Sequence, residues 1–380
     1  MKPIDHSYQV LYSELAQRAL DAAFASDFSV DGRFVTQENN GRRYWYFDTA
    51  KEGGGKSRRY VGPVDDPDIT ARVEAFKDLK ADVRARRKLV STLVREAYLP
   101  RPEAFVGDVI QTLAGGGFFR LRGVLVGTAA YPLYSAILGA RLANTAMQTG
   151  DLDVAQFYSV SEAVEDSMPP VIDLLREVSP TFREIPHQLD GRHVASYVDR
   201  SGFRVEFLTP NTGSNDHASG PARMPALGGA SAQPLRFLDF LIHEPVRAVL
   251  LHGAGVPVLV PAPARYAVHK LIVASRRRED RDGTAKSAKD LVQAATLMEA
   301  MVQLRRTDEL AEAYAEAWER GPHWRDAIHR SLGAIETEAG ERIRAGLATG
   351  LERLGLDPEG FGLSGQQPQR RRTSGPEGES

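Results

Sequence analysis

The feature that most constrains the fold is a change in residue pattern along this 380-residue chain. Between Phe105 and Pro263, apolar runs such as GVLVG, DLDVAQF and GFRVEFL alternate with turns and helical patterns. Apolar residues at helical spacing dominate on both sides, from Ile69 to Ala97 and from Ala264 to about Leu356. Short apolar runs bounded by turn residues are typical of strands. The pattern therefore predicts an α/β core with helical flanks.

Four segments follow from this pattern. We expect residues 1–100 to hold an N-terminal helix, a β-hairpin unit and a long amphipathic helix, and residues 101–263 to form the core. Residues 264–358 would form a helical domain. Residues 359–380 are rich in Gly, Ser, Pro and Gln, which is typical of a disordered tail. Within the core, residues 211–234 have few bulky side chains and are predicted to form a long loop.

Composition narrows the chemistry. The 48 basic and 50 acidic residues nearly balance, so net charge favours neither nucleic acid nor membrane partners. Cysteine is absent, which excludes disulfides, thiolate nucleophiles and cysteine-ligated zinc, and fits a cytoplasmic location. The start MKPIDHSYQVLYSEL lacks the apolar core of a signal peptide. Because Pro132 and several glycines break the longest apolar stretch, we expect no membrane span.

The predicted hairpin unit carries the most basic and aromatic surface. Its basic and aromatic residues interleave and are Arg42, Arg43, Tyr44, Trp45, Tyr46, Lys56, Arg58, Arg59 and Tyr60. Such a ribbon at residues 42–60 can contact nucleic acid; the alternative is a hairpin with an aromatic core face and a solvated basic face. Its EGGGKS turn is not a P-loop, because Ala50 replaces a required glycine and both flanks resemble strands. The basic stretch Arg84 to Leu89 of the long helix is typical of a solvated face.

The run TGDLDVAQF contains two aspartates, Asp151 and Asp153, in an otherwise apolar strand. Residues two apart on a strand project to the same side, about 6–7 Å apart, so Leu152 would face the core. Two carboxylates this close repel each other unless a cation compensates. Oxygen ligands suit Mg²⁺, and a pair of such ions can align an attacking oxygen with a leaving pyrophosphate. The alternative is a solvated strand end.

Three other features favour the metal interpretation. Gly127 and Thr128 join an apolar strand to a helix, a turn that lets backbone N–H groups approach phosphate. Glu206 alternates with apolar neighbours on another strand. Lys270 and Asp290 lie on apolar helical patterns where a charge facing a cleft would be useful. Taken singly, these residues also fit a common turn, a solvent-facing strand residue, a snorkelling lysine and a helix-surface aspartate.

In this order, the set resembles the DNA polymerase β-like nucleotidyltransferase superfamily. It is most similar to bacterial nucleotidyltransferase-fold proteins related to the AbiEii-type toxins, which carry G-G-T-A before a helix, an arginine upstream of D-x-D, K-L-x-A, and K-D. The matching segments are VGTAAYPLY, GARLANTAMQTGDLD, HKLIVASR and KDLVQA. The resemblance covers residues 105–300 and leaves the N-terminal part unexplained. It implies an α/β (α+β) fold with a small mixed-sheet nucleotidyltransferase core, a C-terminal helical domain and an N-terminal extension.

The resemblance also implies a role for each strand-borne residue. Gly127 and Thr128 would hold the triphosphate of the nucleotide. Asp151 and Asp153 would bind Mg²⁺ in a two-metal site. Glu206 would be the third carboxylate of that site and would help to activate the acceptor hydroxyl.

Two helical residues complete the implied site. Lys270 would contact phosphate, and Asp290 would orient Lys270 or the acceptor.

Three departures from the family pattern stand out. Val126 replaces the first glycine of G-G-T-A, about two dozen residues separate Gly127 from the first aspartate, and glutamate stands at position 206 where aspartate is commoner.

The function implied is Mg²⁺-dependent transfer of a nucleoside monophosphate from a nucleoside triphosphate such as ATP to an acceptor hydroxyl, with release of pyrophosphate. The acceptor would be an RNA or tRNA end or a protein side chain. A role as a toxin or defence component is compatible with this chemistry. The alternative is a catalytically inactive protein of the same fold that binds nucleic acid or regulates a partner.

Overall fold

The computed structural model describes residues 1–23, 32–39, 42–50, 56–143, 150–163, 167–187, 191–211, 220–277, 281–335 and 338–363. The chain divides into two compact units, Met1–Pro263 and Ala264–Ser380. The finer division at residue 100 stays a prediction, and most of the predicted tail lies outside the described residues. No helix in the described part of the chain is both long enough and apolar enough to cross a membrane.

The first unit contains many short strands. They are β1 (Lys2–Pro3), β2 (Arg33–Asn39), β3 (Arg42–Ala50), β4 (Lys56–Pro63), β5 (Val124–Leu125), β6 (Ala140–Arg141), β7 (Asp151–Ala155), β8 (Arg183–Pro186), β9 (Val194–Val198), β10 (Arg204–Pro210), β11 (Ala222–Arg223), β12 (Ser231–Leu235), β13 (Val246–Leu250) and β14 (Val256–Val260).

Helices of very different length lie between these strands. They are α1 (His6–Ala23), α2 (Pro67–Arg95), α3 (Ala104–Gly115), α4 (Gly127–Ala130), α5 (Tyr134–Ile137), α6 (Tyr158–Ala163), α7 (Val171–Val178) and α8 (Leu238–Leu241). Short 3₁₀ turns occupy Tyr131–Leu133 and Pro225–Leu227.

A seven-stranded mixed sheet forms the core of the first unit within the described residues. Its main path runs β11-β12-β10-β7-β5, and β9 joins β10 to β8. Strand β10 is parallel to β7 and β12, whereas β5 is antiparallel to β7. Leu152, Val154, Val205 and Phe207 are fully buried, as the period-2 alternation of their strands requires. The predicted mixed α/β core is therefore confirmed.

The N-terminal part adds a helix and an antiparallel sheet ordered β2-β3-β4. Phe76 on α2 contacts Phe34 and Phe47 of this sheet edge to face, which joins the sheet to the helix. Helix α1 packs on α2 through a second apolar cluster, in which the buried Leu15 and Leu93 take part. The helix-plus-hairpin extension expected from the sequence is therefore present, and residues 40–41 and 51–55 between its strands lie outside the described residues.

The long loop predicted at residues 211–234 is wrong for its second half. Residues 212–219 lie outside the described range, but Ser231–Leu235 forms β12, which pairs in parallel with β10 through Leu208↔Gln233. Small residues such as Ala232 are fully buried there. This strand is formed by backbone pairing with β10 and has few bulky side chains. A prediction based on side-chain composition therefore misses it.

The second unit is helical. Its elements are α9 (Pro263–Ala274), α10 (Arg281–Gln303), α11 (Thr307–Glu319), α12 (Pro322–Gly333), α13 (Glu338–Arg353) and a 3₁₀ turn at Pro358–Phe361. Gly346 and Gly350 let α13 approach Val302 and the Thr307 backbone closely. The 3₁₀ turn packs on α11, because Trp318 Nε1 donates to the Gly360 carbonyl at 3.1 Å. The C-terminal helical region expected from the sequence is confirmed.

Candidate functional site

The candidate site is built on two parallel neighbours, β7 and β10. Their register pairs Asp153 with Glu206 and Asp151 with Arg204. Because side chains directly opposite each other share a face of a sheet, all four project to the same side. Asp151 is exposed, and Asp153 and Glu206 are half-buried. Two strands about fifty residues apart in sequence thus bring three of the predicted carboxylates to one face.

Gly127 lies directly against one of these carboxylates. It has φ +65°, and a Cβ atom at this position would collide with Oδ2 of Asp153. The neighbouring Val126 N–H donates to the Asp153 carbonyl at 3.1 Å, which fixes the turn to β7. Two features therefore require glycine at position 127: the left-handed backbone conformation and the close approach of the Asp153 carboxylate.

The chain turns into a helical segment at this point. Helix α4 begins at Gly127 and continues through a 3₁₀ turn into α5, so Thr128 is its second residue. The first N–H groups of such a segment have no carbonyl partners within it and favour an anion. Tyr134 holds the segment to the unit core, since its buried hydroxyl donates to the Pro261 carbonyl at 3.0 Å. Burial raises the pKa of Tyr134 well above its ordinary value.

The carboxylate face meets part of the requirement for a magnesium site. No three His, Asp or Glu side chains among the described residues form a group that would hold a metal ion by themselves. Mg²⁺ usually keeps several waters and takes one or two carboxylates together with substrate phosphates, so it needs no closed cage. Asp153 and Glu206 fit that demand as hard oxygen donors beside a space that a Cβ at Gly127 would fill. The three-carboxylate metal site itself stays a prediction.

Two residues on this face were missed from the sequence. Arg204 is exposed and lies opposite Asp151. Ser196 on β9 lies opposite Glu206, and its buried Oγ has no hydrogen-bond partner in the described part of the chain. Period-2 spacing before Glu206 was enough to indicate Arg204. Nothing in the sequence indicates Ser196, because only the antiparallel register of β9 places it there.

In the second unit, Lys270 and Asp290 form a buried ion pair. Lys270 Nζ lies 2.5 Å from Asp290 Oδ1, and both side chains are more than nine-tenths buried. Arg277 completes the cluster, since its Nη2 lies 2.9 Å from the other oxygen, Oδ2. Asp290 therefore contacts Lys270 directly. The predicted roles, in which Lys270 meets a phosphate and Asp290 orients Lys270 or the acceptor, stay predictions. Arg277 was missed because its spacing alone does not reveal it.

The environment of this ion pair resists further positive charge. Burial, assisted by the neighbouring Lys270 ammonium, lowers the pKa of His269 to about 3. Lys270 also lies over the Tyr266 ring, with Nζ 5.3 Å from the ring centroid. The Tyr266 hydroxyl donates to Gln293 Oε1 at 3.1 Å. The cluster is therefore a closed polar network within the second unit.

The predicted residues fall into two groups, each described within its own unit. Gly127, Thr128 and the Asp153–Glu206 pair lie together in the first unit, with Asp151 on the same face. The Lys270–Asp290 pair lies in the second. A carboxylate pair beside a strand-to-helix turn provides oxygen donors for a cation and backbone donors for phosphate.

Comparison with known proteins supports the same chemistry. Searches of curated proteins and of solved structures gave no match. A family model described as nucleotidyltransferase matches residues 104–319, which is more than half of the chain and includes every predicted site residue. The chain therefore belongs to this nucleotidyltransferase family.

Proposed function

We propose that this chain transfers a nucleoside monophosphate from a nucleoside triphosphate to an acceptor hydroxyl and releases pyrophosphate. The acceptor oxygen forms a bond to the α-phosphorus, and the bond from that phosphorus to the oxygen bridging to the β-phosphate breaks. The observation that carries the proposal is the in-register Asp153–Glu206 pair seated against Gly127. It lies within the part of the chain that the nucleotidyltransferase family model matches.

Mg²⁺ would be held by Asp153 and Glu206, with Asp151 contributing from the same face. When bound, the ion supplies charge neutralisation for the triphosphate and the leaving pyrophosphate. We assign the remaining work to protein groups. Backbone N–H groups after Gly127 and the Thr128 hydroxyl bind and orient the phosphates. The Glu206 carboxylate would accept the proton of the acceptor hydroxyl.

Lys270 would add a positive charge for phosphate. Its ammonium is already oriented by Asp290 at 2.5 Å, so little rotamer freedom would be lost when a phosphate binds. The shared partner Arg277 would continue to hold Asp290 in place when Lys270 also contacts the ligand. In this proposal, catalysis is mainly positioning and electrostatic stabilisation.

The test is transfer itself. Purified full-length protein is incubated with each of the four α-³²P-labelled nucleoside triphosphates, Mg²⁺, and either total RNA or cell lysate. We expect labelled product and pyrophosphate with the wild type, and a loss of at least about a hundredfold in Asp153→Asn and Glu206→Gln. Asp173→Asn, on the exposed first turn of α7, is the matched control. Equal labelling by all four proteins would overturn the proposal.

The proposed acceptor is an RNA or tRNA end, with a protein side chain as the second possibility. A toxin or defence role rests on the resemblance to the AbiEii-related proteins. Its test is growth arrest on expression that Asp153→Asn relieves at equal protein level. An inactive nucleic-acid-binding protein would instead arrest growth, or bind nucleic acid, equally well with either residue at position 153.

A further inference from the structure

A cavity of about 810 Å³ opens in the first unit beside the candidate site. Its walls are the C-terminal half of α2, the segment that leads into α3, α3 itself, the helical segment after Gly127, and β13 with the turn that follows it. Thr128, Ala129 and Pro132 form the wall from the helical segment. The cavity and the candidate nucleotide site therefore share Thr128.

Three arginines surround this cavity without a protein partner. Arg87, Arg95 and Arg101 are exposed, and none of them forms an ion pair or hydrogen bond with another side chain in the part of the chain that the structure describes. Arg86, next to Arg87 on α2, behaves differently. Its Nε lies 2.8 Å from Asp82 Oδ2, and its Nη1 donates to the Ala254 carbonyl at 2.9 Å.

The remaining lining gives the cavity a second character. Its floor is apolar, with contributions from Val90, Val94, Leu99, Ile110 and Leu133. Glu103, which is exposed, is the one carboxylate among the described lining residues. His252 is held by Asp108, with Nε2 2.8 Å from Oδ1. An apolar floor below unpaired guanidinium groups suits a ligand that carries both a planar base and phosphates.

We propose that this cavity binds a single-stranded nucleic acid, with phosphates of the strand on Arg87, Arg95 and Arg101 and a base on the apolar lining. Arg87 and Arg95 lie eight residues apart on one helix, about 12 Å along its axis. An extended strand carries phosphates along its whole length, so phosphates that are not nearest neighbours can meet charges spaced this far apart. The assignment of this strand as the acceptor rests on the proposed function, because Thr128 links the cavity to the site.

The experiment measures binding apart from catalysis. Fluorescence anisotropy follows a labelled twelve-nucleotide RNA of mixed sequence and full-length protein, without nucleotide or divalent ion, over a range of salt. We expect the triple variant Arg87→Gln/Arg95→Gln/Arg101→Gln to lower the affinity roughly tenfold or more at low salt. The slope of log K against log salt should become shallower by about two, since each phosphate contact on a single strand contributes about 0.7.

The control has the same charge change elsewhere in the first unit. Arg122, Arg200 and Arg223 are also exposed, and no described residue pairs with their guanidinium groups, so the triple change to glutamine at these positions should leave the slope unaltered. A second variant, Ser91→Trp, fills the cavity and leaves every charge in place. It should weaken RNA binding while the salt slope is retained. Equal slopes for both triple variants would overturn the proposal.

Competition identifies the ligand class. Excess unlabelled single-stranded RNA should displace the labelled strand, whereas ATP, tripolyphosphate and polyglutamate should leave most of it bound. Complete displacement by ATP or by polyglutamate would overturn the proposal in favour of a nucleotide or an acidic protein. Asp153→Asn should bind RNA like the wild type. Arginine-dependent binding without any nucleotide transfer would therefore support the cavity and refute the proposed function, and the converse result would do the opposite.

Discussion

Two clusters of positive charge, one in each unit, differ in whether protein groups pair with them. In the second unit, Lys270 and Arg277 both meet Asp290, and the cluster is closed. In the first unit, Arg87, Arg95 and Arg101 surround a cavity, and no described residue pairs with their side chains. The difference teaches that some positive charges are fixed by protein carboxylates before any ligand binds, whereas others have no such partner among the described residues. Basic residues counted in a sequence do not make this distinction.

The predicted hairpin ribbon supports the same lesson. Arg58 donates from Nε and Nη2 to the two oxygens of the buried Asp48, at 2.7 and 2.8 Å, and from Nη1 to Gln37. Trp45 Nε1 donates to Thr70 Oγ1 at 3.0 Å. The side chains of Arg42, Lys56, Arg59 and Tyr60 lie outside the described residues. Arg58 therefore links strands of the small sheet, and Trp45 links the sheet to α2, which favours the alternative interpretation for these two residues.

The largest loss of stability is expected when the buried ion pair of the second unit is broken. Asp290→Ala would leave the buried Lys270 ammonium without its counter-ion, and such changes cost about 3–5 kcal/mol of stability. Urea unfolding followed by circular dichroism measures the loss. Asp326→Ala, on the exposed surface of α12, should cost almost nothing. If the two variants unfolded at the same urea concentration, the charge of the second unit would not be holding the fold.

In the first unit, we expect a single change to reduce activity much more than it reduces stability. Gly127→Ala would place a methyl group against the Asp153 carboxylate and should reduce nucleotide transfer by about a hundredfold, the order seen when transition-state contacts are misplaced. Its backbone strain should cost only about 1–2 kcal/mol of stability.

Gly202→Ala is the matched control for that variant. Gly202 also has a left-handed backbone, with φ +91°, but a Cβ atom at this position would meet nothing within 4 Å. It should share the loss of stability and retain transfer. Equal activity of the two alanine variants would show that the space beside Asp153 is not used.

A smaller, pH-dependent effect should sharpen the contrast. The pKa of His269 is about 3 in the folded protein and about 6.5 when unfolded, so the unfolded chain binds the extra proton between these values. Stability therefore falls as the pH is lowered below 6.5, by about 1.4 kcal/mol per pH unit from this group.

Denaturant unfolding at pH 7.5 and pH 5.5 checks this expectation. The wild type should lose about 1–1.5 kcal/mol more than His269→Gln over this interval. His243→Gln, at an exposed histidine of the first unit, is the control and should follow the wild type. If His269→Gln lost as much stability as the wild type over this interval, His269 would bind a proton equally well in the folded and unfolded protein.

The smallest effect is expected at Ser196. Ser196→Ala removes a buried hydroxyl that lacks a described partner, so stability should change by less than about 0.5 kcal/mol. If the hydroxyl serves a bound substrate beside Glu206, the KM of transfer should rise while the melting temperature stays constant. An unchanged KM would show that the Ser196 hydroxyl does not contact the substrate.

Much of the fold was predictable because each strand carries its own alternation. Leu152 and Val154 indicated the core side of β7, and this predicted the face of Asp151 and Asp153. The strand pairing was not predictable, since the register that puts Glu206 beside Asp153 depends on strands distant in sequence. For the same reason Ser196 and β12 were missed: their positions depend on backbone pairing rather than on local pattern.

The position of Glu206 has a consequence for the dynamics of the site. Glu206 pairs with Asp153 of β7 on one side and with Ser196 of β9 on the other, so this part of β10 has a strand on both edges. Amides in such a segment should exchange with deuterium only through global unfolding, whereas those of the exposed strand β8 should exchange sooner. The carboxylates would then stay fixed while nucleotide, acceptor and product come and go, and the slow steps of turnover would belong to the ligands and not to this sheet.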